Sequence, residues 1–424
     1  MLIAFIIFMV LLFLGMPVAF SIALAGLSFF LITPELPLTI VVQRTIATSQ
    51  SFTMLAVPLF IFAGHLMNHT GITTRLIKLS NVLVGHMWGH VAQVSIVLSA
   101  LLSGVTGSAT ADAAMSARVL GPEMVKKGYK RSWGASINGV SAMITATLPP
   151  SMGLIIYGTV GEVSIGRLFM GGIIPGFMMM VFLMLAVRIS AKKFGYKPER
   201  KISSFSEMLK ALVDGIWALL FPIILIVFIR FGIFTPSESG AFAAIYAILV
   251  GVFVYKELTF AKFRTALINA VRDIGAIMLI ISVSGVFGFG IVFERLGPLM
   301  ASFITGVTEN PILLMFVLVA VLLIIGSVLE STVVVLILTP ILMPIITSVG
   351  IDPVQFGLVM MTIVTGGIMT PPMGIALFAV SDIMECKPEA VVKDAVPFYL
   401  AILAAVVLMI LFPPLTLFLP NLLF

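Results

Sequence analysis

Two short stretches place paired prolines beside threonines in the middle of apolar sequence. The first reads TATLPPSMG, residues 145–153, and the second reads TGGIMTPPMG, residues 365–374. Proline has no backbone N–H, so each pair leaves carbonyl oxygens of the preceding turn without helical partners. Backbone of this kind is tolerated at membrane depth only inside the protein or beside a wet cavity. Carbonyl and hydroxyl oxygens suit Na⁺, and the N-terminus of a half-helix can face an anionic substrate.

Two small polar segments precede these breaks along the chain. They read SGVTGSATAD, residues 103–112, and GSVLEST, residues 326–332. Each lies between apolar arms of about 12–14 residues, roughly 20 Å of helix, which is too short to cross about 30 Å of hydrocarbon. The pattern therefore predicts two re-entrant helical hairpins, over 93–122 and 311–344, each with its polar tip next to a broken helix.

We predict two symmetry-related cation sites where the tips meet the breaks. The first comprises Ser108, Thr110, Thr145 and Thr147, and the second comprises Ser331, Thr332, Thr365, Gly366 and Thr370. The substrate is expected beside Ser103, Gly107, Pro150, Gly153, Glu330 and Pro372. Two alternatives stay open: the prolines merely kink a helix whose hydroxyls bond to its own backbone, or the acids in the tips, Asp112 and Glu330, couple transport to protons.

The two halves of the chain are copies. Thr332 follows Thr110 by 222 residues, as Phe242 follows Phe20 and Gly350 follows Gly128, and Gly374 follows Gly153 by 221. The copies predict a first repeat over 1–192, a cytoplasmic linker over 193–211 and a second repeat over 212–424.

The elements that carry these residues are predicted to be membrane helices. Of 424 residues, 60% are hydrophobic and 10% are charged, against about 25% charged in soluble domains. Basic loops at 126–131, 192–201 and 255–264 indicate the cytoplasmic side rather than nucleic-acid binding. The resulting fold class is an all-α polytopic membrane protein with about nine spans, in which the two broken helices run in opposite directions. Residues 1–31 are expected to form the first helix, with the N-terminus cytoplasmic and the C-terminus periplasmic.

The motifs SGVTGSATADAAM, LPPSMGLIIYG, GIFTPSESGAFAAIYA and TPPMGIALF resemble, in this order, the large membrane subunit (M subunit) of tripartite ATP-independent periplasmic (TRAP) transporters. The resemblance covers essentially the whole chain. It implies an elevator-type importer of organic carboxylates such as sialic acid, C4-dicarboxylates or sugar acids, coupled to two or more Na⁺ ions. It also implies the bacterial inner membrane and two partners, a small four-helix membrane subunit and a periplasmic substrate-binding protein. The hairpins and breaks would move as one block past a scaffold over 1–31 and 212–255, linked by arms over 73–90 and 296–307.

Three other functions were weighed. A stand-alone Na⁺- or H⁺-coupled anion symporter is the nearest alternative, and a channel is another. An intramembrane enzyme would need a catalytic pair at one depth, which the scattered acids and histidines do not supply, so no catalytic residue is expected. The spacing of His65/His69 and His86/His90 could hold a metal, but interface histidines fit it better. Asp112 has a structural alternative, pairing with Arg118.

Overall fold

The computed structural model describes residues 1–198, 201–299 and 310–424, and every regular element in these ranges is a helix. The first repeat contains eleven of them: α1 Leu2–Phe13, α2 Val18–Ile32, α3 Thr39–Ser49, α4 Ala56–His69 (entered by a 3₁₀ turn, Phe52–Leu55), α5 Ile72–Val84, α6 His90–Thr106, α7 Ala109–Lys126, α8 Arg131–Ser141, α9 Ile144–Thr147, α10 Met152–Val160 and α11 Ile165–Phe194.

The second repeat follows the same order after a linker shorter than the predicted one, because α12 already begins at Phe205. Its helices are α12 Phe205–Arg230, α13 Pro236–Leu249 (continued by a π turn, Val250–Val254), α14 Phe260–Phe293, α15 Pro311–Gly326, α16 Ser331–Ser348, α17 Pro353–Gly367, α18 Ile375–Ile383, α19 Pro388–Leu411 and α20 Pro414–Leu423. Most of the predicted second arm, 296–307, lies outside the described residues.

Local sequence explains where the linker-proximal helices start. Ser204 and Glu207 form a capping box at the start of α12, each side chain accepting from the other residue's backbone N–H. Thr235 and Glu238 do the same for α13, with Pro236 in the first turn, where its missing N–H removes nothing from the helix.

Seven helices in the described part of the chain are long and apolar enough to cross a membrane, and the bent pair formed by 131–147 and 152–160 would be an eighth. The sequence predicts about nine spans. The difference lies partly at the second break, where α17 and α18 are each too short to qualify, and partly at the N-terminus. The qualifying helices include α16, so the predicted hairpin arms of about 12–14 residues are too short: α6, α7, α15 and α16 have 17, 18, 16 and 18 residues.

The N-terminal stretch corrects the prediction of a single helix over 1–31. The chain turns at Gly15, whose φ is +83°, and α2 begins after Pro17. The backbone nitrogen of Met1 lies 2.5 Å from Glu294 Oε1, just beyond the end of α14. Met1 therefore lies at the same end of the scaffold as the end of α14.

Two contacts show that the broken helices run in opposite directions. Arg131, which begins α8, pairs with Glu385, just after the end of α18. At the other end, the Tyr157 hydroxyl of α10 donates to the Pro353 carbonyl at the start of α17, at 2.8 Å. Each broken helix therefore starts where the other ends, which confirms the predicted inverted repeat.

The turn that follows each hairpin confirms the register of the repeat. Gly128 and Gly350, which are 222 residues apart, have φ values of +76° and +77°. Only glycine adopts this left-handed conformation without steric penalty. The equivalence detected in the sequence is therefore an equivalence of backbone conformation.

The repeats interlock in two bodies. In one body, which we call the hairpin block (α6–α11 and α15–α20), α7 packs on α18, α8 on α19 and α10 on α16. In the other, which we call the scaffold (α1–α4 and α12–α14), α2 packs on α14 and α4 on α13. Helices α4 and α14 of the scaffold face the hairpins through α6 and α16. The hairpin tips therefore meet the scaffold at these two helices.

Candidate functional site

The first hairpin tip turns at Gly107, whose φ is +59°. Ser108 caps α7 by accepting from the Ala111 N–H at 3.4 Å. A Cβ placed on Gly107 would lie 3.5 Å from the backbone nitrogen of Met152, the first residue of α10. The first tip thus lies directly beside the first break, as predicted.

Backbone atoms of the second tip contact its break directly. The Met373 N–H donates to the Ser327 carbonyl at 3.1 Å. Gly367 approaches Gly326 so closely that a Cβ on Gly367 would lie 2.1 Å from the Gly326 carbonyl carbon. Only glycine fits there, because any side chain would collide with main chain rather than with a movable side chain.

Glu330 caps the second half of this hairpin. Its carboxylate accepts from the Thr332 N–H at 2.9 Å and from the hydroxyls of Ser331 at 3.0 Å and Thr332 at 3.1 Å. These three donors hold the carboxylate in one orientation. The second tip therefore presents an acid whose geometry is fixed by its own helix.

Both diproline bonds, Pro149–Pro150 and Pro371–Pro372, are cis, and both separate two helical segments. Pro149 and Pro150 are buried, whereas Pro371 and Pro372 are exposed. The predicted broken helices are confirmed, and their surroundings differ.

Asp112 is fully buried in α7, behind the first tip. Its Oδ2 accepts from the Thr145 hydroxyl of α9 at 3.0 Å, while Oδ1 has no hydrogen-bond partner among the described residues. Arg118 is exposed, so the alternative pairing of Asp112 with Arg118 is not formed. The carboxylate joins the first hairpin to the first break instead.

A cavity of about 280 Å³ lies where both tips, both breaks and the scaffold meet. The hairpin tips contribute Gly107, Ser108, Ala109, Thr110, Ala111, Glu330, Ser331 and Thr332. The broken helices contribute Ala146, Ser151, Met152, Gly153, Met361 and Thr365. The scaffold contributes Ile61, Gly64, His65, Asn68, Asp273, Ala276 and Ile277.

One buried side-chain oxygen at this cavity lacks a hydrogen-bond partner among the described residues. The Thr365 hydroxyl is in a side chain only 1% exposed, and within the ranges described it has no hydrogen-bond partner. A buried, unpaired hydroxyl is unfavourable by about 1–3 kcal/mol. Such an oxygen beside a cavity is chemically suited to a cation or a polar ligand.

The cavity brings together members of both predicted cation sites, Ser108 and Thr110 from the first and Ser331, Thr332 and Thr365 from the second, with the predicted substrate residues Gly107, Gly153 and Glu330. The other predicted residues do not line it. Thr147 shares a hydrogen bond of 3.0 Å with Thr362 of the other repeat, and Thr370 donates to the Gly367 carbonyl at 2.9 Å. Ser103 donates to the Ala100 carbonyl, Gly366 is buried, Pro150 is buried and Pro372 is exposed.

Sequence reasoning missed the scaffold wall of the cavity. His65 of α4 and Asp273 of α14 are hydrogen-bonded, with 2.7 Å between Nε2 and Oδ2. The signal was present, since Asp273 is an acid within the 34-residue apolar helix α14.

The two histidine pairs do not act as pairs. His65 contacts Asp273, whereas His90 contacts Lys127 at 3.0 Å and lies against the Tyr129 ring. In the described residues no three His, Cys, Asp or Glu side chains are arranged to hold a metal ion.

Comparison with known proteins gives one consistent family. Residues 5–415 match the model of the "Tripartite ATP-independent periplasmic transporter, DctM component". The chain is 36% identical to the sialic acid TRAP transporter large permease protein SiaM of Vibrio cholerae, over 97% of this chain and 96% of that protein. It is 33% identical to the 2,3-diketo-L-gulonate TRAP transporter large permease protein YiaN of Escherichia coli, over 95% and 94%.

A solved structure shares the fold at much lower identity. The YdaH transporter of Alcanivorax borkumensis superposes with a TM-score of 0.64 at 11% identity, over 87% of this chain and 86% of that chain. The spans, the inverted breaks and the match along nearly the whole sequence agree. This chain belongs to the DctM family and is a multi-pass membrane protein, the large permease component of a tripartite ATP-independent periplasmic transporter.

Proposed function

We propose that this chain moves an organic carboxylate across the bacterial inner membrane together with Na⁺. The observation that carries the proposal is the single cavity in which both hairpin tips and both breaks meet. A site shared by two inverted repeats is typical of secondary transporters, because each repeat can gate access from one side.

The cavity offers oxygen atoms that can coordinate Na⁺. The tips offer the hydroxyls of Ser108, Thr110, Ser331 and Thr332 beside the Glu330 carboxylate, and the second break adds the unpartnered Thr365 hydroxyl. Na⁺ in this proposal is a co-transported ion held by such oxygens, at two or more positions. The sites predicted from the sequence remain the candidates for these positions.

Helix N-termini at the cavity can bind the carboxylate of a substrate. The first residues of three helices line the cavity: Ala109 of α7, Met152 of α10 and Ser331 of α16. Helix N-termini carry unpaired N–H groups and the positive end of the helix dipole, so they favour a bound anion. Bound Na⁺ would offset the negative charge of Glu330 and make the anion more favourable.

We further propose an elevator motion, in which the hairpin block slides past the scaffold. The cavity contacts α4 only along its later turns, from Ile61 to Asn68, near the face that carries the basic loops. It contacts α14 through 273–277, at the middle of that helix. The position of the cavity along α4 supports an inward-facing state in this proposal.

A pair of disulfides tests this motion. Gly161 of the loop after α10 and Thr339 of α16 both belong to the hairpin block, and a Cβ on Gly161 would lie 3.1 Å from Thr339 Cγ2. Gly166 of α11 has a similar distance, 3.2 Å, to Ile229 Cγ2 of the scaffold helix α12. In a background lacking Cys386, the G161C/T339C disulfide should leave uptake intact, whereas G166C/I229C should stop it until reduced. Equal uptake by both oxidised variants would rule out this sliding motion.

The proposed partners are a small four-helix membrane subunit and a periplasmic substrate-binding protein, in keeping with the tripartite description of the family. Met1 and the C-terminal helix would lie on the periplasmic side. Two contacts support this orientation: Met1 N donates to Glu294, and Arg167 donates to Asn421 at 2.8 Å.

Proteoliposomes test the proposal and its nearest rival together. Uptake of radiolabelled sialic acid should require an inward Na⁺ gradient and added binding protein. Uptake without the binding protein would favour a stand-alone symporter, and uptake driven by a proton gradient in the absence of Na⁺ would favour the H⁺-coupled form of that rival.

A further inference from the structure

The scaffold wall of the cavity carries three polar side chains that the proposed transport cycle does not yet use. His65 and Asn68 lie on α4, and Asp273 lies on α14. Residues three apart on a helix share a face, so His65 and Asn68 face the same space. Asn68 is exposed, and the Asp273 side chain is 58% exposed.

We propose that His65, Asn68 and Asp273 form a second substrate subsite, which binds hydroxyl groups on the tail of a monocarboxylate. The proposal rests on the proposed function, in which the carboxylate is held at the helix N-termini of the hairpin block. The substrate would then bridge the block and the scaffold, with its charged end on one and its hydroxylated end on the other.

The charge of the cavity selects against a second carboxylate. Its lining includes two acids, Glu330 and Asp273, and one histidine, His65, but no lysine or arginine among the described lining residues. A dicarboxylate would bring its second negative charge against Asp273, and the described lining offers no lysine or arginine to offset the repulsion. A hydroxyl group avoids this repulsion, because it can donate to the Asp273 carboxylate and accept from the Asn68 amide.

A purely structural contact between α4 and α14 would explain only part of this wall. The 2.7 Å contact between His65 Nε2 and Asp273 Oδ2 does join α4 to α14. A purely structural contact gives no role to Asn68. It also gives no role to the second carboxylate oxygen of Asp273, a side chain that is largely exposed where it lines the cavity. Across the same space, the buried Thr365 hydroxyl lacks a partner within the described ranges. Both walls therefore have hydrogen-bonding capacity left over for a polar ligand.

The volume fits a ligand of this class. At about 280 Å³ the cavity is near the lower end of the ~300–1,000 Å³ range of small-molecule pockets. The cavity also has apolar and small residues, including Ile61, Gly64 and Ile277, between its polar walls. These give the carbon skeleton of a sugar acid a surface to lie against.

Binding to the purified full-length transporter tests the subsite. Calorimetric titrations with sialic acid, gluconate and succinate would be run in NaCl and in choline chloride, for the wild type, Asp273→Asn and Asn68→Ala. Asp214→Asn on the scaffold helix α12 is the matched control, since Asp214 is an exposed acid that does not line the cavity. Asn68→Ala leaves the His65–Asp273 pair in place, so lost binding in that variant cannot come from a broken interhelical contact.

We expect at least one hydroxylated monocarboxylate to bind the wild type at least tenfold more tightly than succinate in NaCl. Asp273→Asn and Asn68→Ala should each weaken that binding by about tenfold, the equivalent of one lost hydrogen bond to a polar or charged group, and Asp214→Asn should not. Succinate bound as tightly as the hydroxylated acids, or wild-type affinity in both cavity variants, would overturn the subsite. Absence of Na⁺-dependent binding for all three acids in the wild type would instead overturn the proposed function, and the subsite with it.

Discussion

The two hairpin–break units share a backbone path and differ in where they carry charge. The residue that caps the second helix of the hairpin is Ser108 in the first unit and Glu330 in the second, 222 positions later. The first unit has its acid one turn further on, at Asp112, where the second has the buried Val334. One carboxylate is thus sealed against a break, and the other lines the cavity.

The two breaks also differ, in burial and in hydrogen bonding. Pro149 and Pro150 are buried, and the hydroxyls of Thr145 and Thr147 are bonded to Asp112 and Thr362. Pro371 and Pro372 are exposed, and Thr370 bonds only within its own turn. The repeat therefore conserves the interruption of the helix but not its packing. We expect side-chain hydrogen bonds to stabilise the first unit and close backbone contacts to stabilise the second.

The largest effect should come from that close approach. Gly367→Ala would press a methyl group into the Gly326 backbone, so we expect it to lower the free energy of unfolding by about 3 kcal/mol. Thermal unfolding in detergent measures the change. Gly275→Ala in α14 is the control, because a Cβ there meets no atom within 4 Å. Equal midpoints for the two variants would show that the second unit is not held by backbone contact.

A smaller effect is expected where the first unit is held by side chains. Thr145→Val removes the hydroxyl that donates to the buried Asp112, and a lost hydrogen bond of this kind is worth about 2 kcal/mol. Thr159→Val is the control, because the Thr159 hydroxyl bonds only to the Ile155 carbonyl of its own helix. The unfolding midpoint should fall for Thr145→Val alone, and a similar fall for both would remove the special role of the contact.

The smallest effects compare one threonine from each break. Thr147→Val breaks a buried hydrogen bond between the repeats, and we expect a loss of about 1 kcal/mol. Thr370→Val removes a bond within one turn of a half-buried residue, where surface-like substitutions stay within about 0.5 kcal/mol. A larger loss for Thr370→Val than for Thr147→Val would reverse the contrast between a buried and an open break.

Much of the fold could be predicted because short runs of neighbouring residues mark where its helices are interrupted. Paired prolines mark both breaks, and the small polar runs at 103–112 and 326–332 mark both tips. The turn between α1 and α2 was missed although Gly15 and Pro17 signal it, because the apolar run continues on both sides.

The site was harder to predict because its walls come from distant parts of the chain. The contact of His65 with Asp273 spans 208 residues, and that of Thr147 with Thr362 spans 215. Neither partner has a sequence pattern that points to the other. The repeat register relates equivalent residues, but it does not report which of them meet across the interface.

The central claim is that both tips supply oxygens to ions that travel with the substrate. The most direct measurement is the Na⁺ dependence of uptake in proteoliposomes for Thr110→Val and Thr332→Val, since valine keeps the shape of threonine and removes its hydroxyl. Both tip threonines line the cavity. We predict that each variant folds and loses Na⁺-dependent uptake, with a lowered unfolding midpoint only for Thr332→Val, whose hydroxyl donates to Glu330. Unaltered Na⁺ dependence in both variants would contradict the account.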